Sequence, residues 1–145
     1  KISSDKCPSG PSSGEYVSNG SNVGGTMYIN WTSMDVGILA HEIFHGYQDL
    51  NNQGQASIHN EVQARLFATG VQRQAYATGM SQLVPQGNLL PNVFTYNVEK
   101  VLLGSYSMTN LQYLEDNFKS HFGGYNNLKV RIEGQTDLYG TLKNN

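Results

Sequence analysis

His41 and His45 stand four residues apart with Glu42 beside the first, and this spacing constrains the chain more than any other feature. On an α-helix, side chains at i and i+4 share a face, with Cβ atoms about 5–6 Å apart. Two imidazoles placed that way reach one metal ion at about 2.0–2.1 Å. Glu42 is rotated around such a helix from His41, so its carboxylate sits beside the ion rather than on it. There it is positioned to take a proton from a water. The chemistry requires a helix.

The flanking sequence supplies one. Thr32 or Ser33 is a good N-cap, and Asp35 follows three residues after Thr32, an Asp version of the capping box. From Ser33 to Leu50 there is no proline, and Val36, Leu39, Ile43, Phe44, Tyr47 and Leu50 recur at helical intervals. Gly37 and Gly46 each cost about 1 kcal/mol relative to Ala, so burial rather than propensity must carry this helix. The run Asn51-Asn52-Gln53-Gly54 ends it.

A catalytic metal site usually takes three protein ligands and keeps one position open. Downstream, Ser57 to about Thr78 reads as a second helix, with Ser57 as N-cap, Ile58, Val62 and Leu66 as one apolar line, and Gly79 at C′. Glu61 lies in its first turns, after a loop long enough for an antiparallel return, and is the candidate third ligand. The plainer reading of Glu61 is an i,i+4 pair with Arg65 on an exposed face, worth a few tenths of a kcal/mol. His59 competes for the ligand role, but its place near the helix start reads as a loop residue or a partner to a ligand. Upstream, Thr26 to Trp31 is rich in aromatic and β-branched residues and partly alternates, as a strand does. As an edge strand it would accept a peptide by strand addition.

His41-Glu42-x-x-His45, with an upstream strand and Asn60-Glu61 on a following helix, resembles the zincin metallopeptidases. The gluzincins, to which thermolysin belongs, are the subgroup it looks most like. The resemblance implies Zn²⁺ as cofactor, with His41, His45 and Glu61 as ligands, Glu42 as general base, and a peptide or protein as substrate. It covers roughly Thr26 to Ala68. The chain departs from the subgroup in a shorter interval between His45 and Glu61, and in having Ala64 and Arg65 where an Asp orients the first histidine. Gly46 to Leu50 lacks the metzincin extension. The resemblance implies an α+β, zincin-like fold, mainly helical, with a small sheet next to the His41–His45 helix.

Zincins often place a group that steadies the tetrahedral oxyanion in the C-terminal half, where Tyr106, Tyr113, His121, Tyr125 and Tyr139 lie. Among these His121 is the candidate. It closes a helix expected from about Met108, where a histidine also gains from the helix dipole. After Gly123-Gly124, the alternation of Leu128, Val130 and Ile132 reads as a strand. Val93 to Ser105 fits strand or helix equally, and Pro85 and Pro91 mark residues 81–91 as an irregular connector.

With 145 residues the chain is long enough for one real core. Charged residues make up 14% and the net charge is −2, which argues against a nucleic-acid surface. No apolar run approaches the roughly 20 residues of a membrane span. Lys1 to Gly25 holds seven Ser, five Gly and two Pro and reads as a flexible lead-in, so that residues 26–145 form the single domain. The lone Cys7 excludes an internal disulfide and reads as a bystander. A start at Lys1 rather than Met, and a wealth of Asn, Gly, Ser and Tyr, fit an exported protein, extracellular or periplasmic. The alternative function is a zincin-derived binding module without hydrolysis, or one domain of a secreted toxin or effector.

Overall fold

The computed structural model describes residues 1–8, 10, 14–20, 22–80, 98, 100–102, 104 and 106–144. Strands β1 (Ile2–Ser3), β2 (Gly14–Ser18) and β3 (Gly25–Ile29) come first. Helices α1 (Val36–Leu50), α2 (Ile58–Ala77), α3 (Met108–His121) and α4 (Leu138–Lys143) follow, with a 3₁₀ turn at Gly123–Tyr125. Residues 98 and 100–102 are also helical, which selects the helical alternative at those positions; residues 93–97, 99, 103 and 105 of the ambiguous segment lie outside the described residues. The connector expected at 81–91 lies outside the described residues. Helices with one small sheet make this a mixed α+β chain.

The sheet order is β1-β3-β2, with β1 parallel and β2 antiparallel to β3. β3 is therefore the central strand. The expectation that it offers a free edge is wrong: both its sides are paired, and the edge beside the helices belongs to β2. Asn19 donates to the Gly24 carbonyl at 2.9 Å, extending the β2–β3 register by one hydrogen-bonded pair. Such pairs alternate along an antiparallel ladder, so the amides of Gly14, Tyr16 and Ser18 point away from β3. Reading Lys1 to Gly25 as loop is corrected too, because β1 and β2 both come from it. Their strands draw on the neighbour's ladder, which a Ser- and Gly-rich stretch does not advertise.

α1 lies against β2 and β3 on one side and α2 on the other, while α2 also meets α3 and α4. Around α2 the core gathers Phe44, Ile58, Val62, Leu66, Leu111, Leu114, Phe118 and Leu138. Burying a side chain of this size stabilises by about 1.5–3 kcal/mol. Ser57 caps α2, its Oγ accepting from the Asn60 amide at 3.1 Å. At the other end Met80 donates to the Ala75 carbonyl and Gly79 to that of Tyr76, with Gly79 at φ 82°. This pair of bonds closes the helix, and the positive φ suits glycine. Both ends of α2 fall where the sequence puts them.

Two further expectations fail. α1 begins at Val36 with Asp35 as its cap, rather than Thr32 or Ser33. The alternating segment around Leu128–Ile132 forms no strand. The carbonyls of Lys129 and Val130 instead accept the Ile58 and His59 amides, first-turn donors that no intrahelical carbonyl reaches.

Candidate metal centre

α1 brings His41 and His45 onto one face, and the antiparallel return of α2 sets Glu61, in its first turn, opposite them. The two Nε2 atoms lie 3.0 Å apart. Glu61 Oε1 is 3.4 Å from His45 Nε2, and Oε2 is 3.5 Å from His41 Nε2. Tetrahedral coordination with bonds of about 2.0–2.2 Å separates ligand atoms by about 3.3–3.6 Å. The triangle is nearly that size. Glu61 Oε2 is buried and has no hydrogen-bond partner among the described residues. At 3.5 Å its contact with His41 is electrostatic rather than a hydrogen bond. A buried carboxylate oxygen left unpaired this way is costly, and a cation between the three groups would satisfy it. These three residues form a group that could hold a metal ion.

The electrostatics follow from burial. Burial lowers the pKa of His41, reinforced by the charge of His45 and opposed by Glu61 and Glu42. For His45 burial acts in the same direction, but hydrogen bonding to Glu61, the Glu61 and Glu42 charges and the bond to Gln48 outweigh it and raise the pKa. Burial also works against the Glu61 carboxylate, yet the two imidazoles hold it well below the usual carboxylate range. Glu61 is thus an anion at neutral pH, the form a metal needs.

Glu42 is buried on α1, and its Oε2 accepts the outward amide of Tyr16 at 2.8 Å. The base candidate is therefore held by the edge strand. The Tyr16 hydroxyl donates to Asp49 at 2.8 Å, as does Ser18, so β2 is pinned to α1 at two levels. Gly46 eases this approach, since a Cβ there would stand 3.3 Å from the Tyr16 ring, a tight contact. Neither Tyr16 nor Asp49 was identifiable from sequence, because only the fold brings β2 to α1. Gln48 was within reach of the sequence: it sits three residues after His45, on its face. Its Oε1 is 2.9 Å from His45 Nδ1, and its Nε2 donates to the Asn60 carbonyl at 3.0 Å.

Glu61 does not form an exposed pair with Arg65. The Arg65 guanidinium instead lies over the Phe122 ring at 4.1 Å and the Phe118 ring at 5.6 Å. His59 is neither a loop residue nor beside the ligands. Fully buried in α2, it pairs through Nδ1 with Glu115 at 2.6 Å and donates from Nε2 to the Thr136 carbonyl at 2.9 Å. Arg131 grips the same carboxylate at 2.8 and 3.0 Å. This network ties α2 to α3 and to the segment that caps α2. His121 closes α3, with its Nδ1 2.9 Å from both the Asn117 carbonyl and the Ser120 hydroxyl.

The tyrosines separate by surroundings. Tyr106 donates its hydroxyl to Asp137 at 2.7 Å, Tyr139 meets the Tyr106 ring edge-to-face, and Tyr113 is half exposed on α3. Tyr125 interacts with both Glu61 and Arg65. Its pKa is raised by burial first and by the Glu61 charge, with Arg65 opposing.

Comparison with known proteins finds no match, whether to a family model, a curated protein or a solved structure. Among the described residues no helix is long and apolar enough to cross a membrane.

Proposed function

We propose that this chain is a zinc-dependent peptidase, a small gluzincin-like zincin acting on peptides or proteins. The observation that carries the reading is the convergence of His41, His45 and Glu61 within 4.8 Å of one another, beside a carboxylate on the next residue of the same helix. Two imidazoles and a carboxylate suit Zn²⁺. When bound, the ion would supply Lewis acidity for the scissile carbonyl and for a water. Glu42 accepts the proton of the attacking water and returns it to the leaving amine. The Tyr16 amide fixes the carboxylate through Oε2, so its orientation is set before substrate arrives. Tyr125, protonated at neutral pH and beside Glu61, is the donor we assign to the oxyanion in preference to His121. An exported setting belongs to the same reading and rests on composition alone.

Glu42→Gln tests it. The amide oxygen of Gln can still accept the Tyr16 N–H, so the fold and one zinc per chain should persist. Cleavage of an unfolded protein should fall by about 10²–10⁴-fold. Full activity in that variant would remove Glu42 as the base. A wild-type chain that binds zinc tightly but cleaves nothing would favour a binding module.

A further inference from the structure

Gln48 is fully buried, yet neither end of its amide is spare. The Asn60 carbonyl can only accept, so the amide atom facing it at 3.0 Å must be Nε2. The opposite atom, Oε1, therefore faces His45 Nδ1 at 2.9 Å. A carbonyl oxygen cannot donate, so the proton of that bond belongs to Nδ1. In the neutral ring the lone pair then lies on Nε2, the atom that points at His41 and Glu61. One backbone carbonyl on α2 thus dictates, through a single side chain, the tautomer of an imidazole on α1.

The same side chain links the two halves of the metal centre. Asn60 immediately precedes Glu61, and its own Nδ2 donates to the carbonyls of Gln53 and Gln55 in the turn between the helices. Gln48 thereby joins His45 to the backbone that carries the third ligand. We infer that Gln48 is the positioning residue of this centre, setting which nitrogen of His45 meets the ion. The inference rests on the metal reading above, but the tautomer is a property of the metal-free chain.

The test uses the full chain and two variants. Gln48→Met keeps length and apolar bulk but removes both polar contacts. Gln48→Glu keeps an acceptor for His45 Nδ1 and loses the donor to Asn60. Long-range ¹H–¹⁵N NMR of the metal-free protein in alkaline solution, where the ring is neutral, reads the His45 tautomer. Competition with a chelator reads the affinity for Zn²⁺ alone. The wild type should show Nδ1 protonated. Gln48→Met should populate the other tautomer and weaken zinc by about 10–100-fold, the usual effect of removing a ligand's hydrogen-bond partner. Gln48→Glu should restore both readings, even where its unfolding midpoint is lower. A purely structural role would instead let the two variants weaken zinc alike. An Nε2-protonated His45 in the wild type, or a Gln48→Met protein with unchanged zinc affinity, overturns the inference, and the wild-type result stands even if that variant does not fold. A wild type that binds no zinc while keeping Nδ1 protonated sinks the peptidase reading and leaves the tautomer assignment intact.

Discussion

Asp49 is buried and accepts two hydroxyls from β2, those of Tyr16 and Ser18, so the Tyr16 phenol joins strand to helix while its amide holds Glu42. Burial, and then the bond to and charge of Asp49, push the Tyr16 pKa up to about 12 from 10.0. The folded state thus favours the neutral phenol. Its contribution is complete below pH 10.0 and is lost as pH rises towards about 12. Tyr16→Phe should cost about 1.5–3 kcal/mol at neutral pH, the usual range for a hydrogen bond to a charged group. The gap in urea midpoint between the two proteins should then shrink as pH passes through that window. A constant gap would mean that the phenol is not held by Asp49. At this scale the spacing of His41, Glu42 and His45 was legible because one helical turn decides it. Tyr16 was not, since 26 residues separate it from Glu42.

α1 positions His41 and His45, and its start was misplaced by two or three residues. Thr32 was a plausible cap, but its hydroxyl donates to the Asn30 side chain at 2.7 Å in a turn of its own. Asp35 Oδ1 instead accepts the Gly37 and Ile38 amides at 2.6 and 2.9 Å. Asp35→Ala should therefore cost about 1 kcal/mol, and Asp35→Asn a fraction of that, because Asn is as good an N-cap. Denaturant titration checks this, and Thr32→Ala should leave the midpoint almost unmoved. If Thr32→Ala cost more than Asp35→Ala, the cap would have to be reassigned. Leu128, Val130 and Ile132 show the converse failure. Their alternation satisfied a strand pattern, but no neighbouring strand among the described residues pairs with them, and α2 needs acceptors for its first amides. Two carbonyls of the segment answer that need. β1 and β2 were missed for the same reason: a two-residue strand and a Gly-flanked one exist only through β3.

Across the whole molecule, the group formed by His41, His45 and Glu61, which could hold a metal ion, joins α1 to α2, and the buried Glu115 network joins α2 to α3 and the C-terminal segment. An ion bound to three groups from two elements should stabilise the chain as a unit. At a free zinc concentration a hundredfold above Kd, the gain is about 2.7 kcal/mol. For a chain of this length that raises Tm by about 5–10 °C. Calorimetry with and without zinc reads it, and Glu61→Ala should abolish the shift. A Tm that zinc does not move would withdraw the metal from the site. The sequence by itself determined that two imidazoles share a face, that α2 is capped at Ser57 and closed at Gly79, and that Glu61 is available, because each depends on contacts within about one helical turn. The tertiary structure alone decided which strand borders α1, what holds Glu42, and that Gln48 reaches the Asn60 carbonyl beside Glu61. Those contacts cross between elements, and their geometry is set by the burial of the core around α2 rather than by any local spacing.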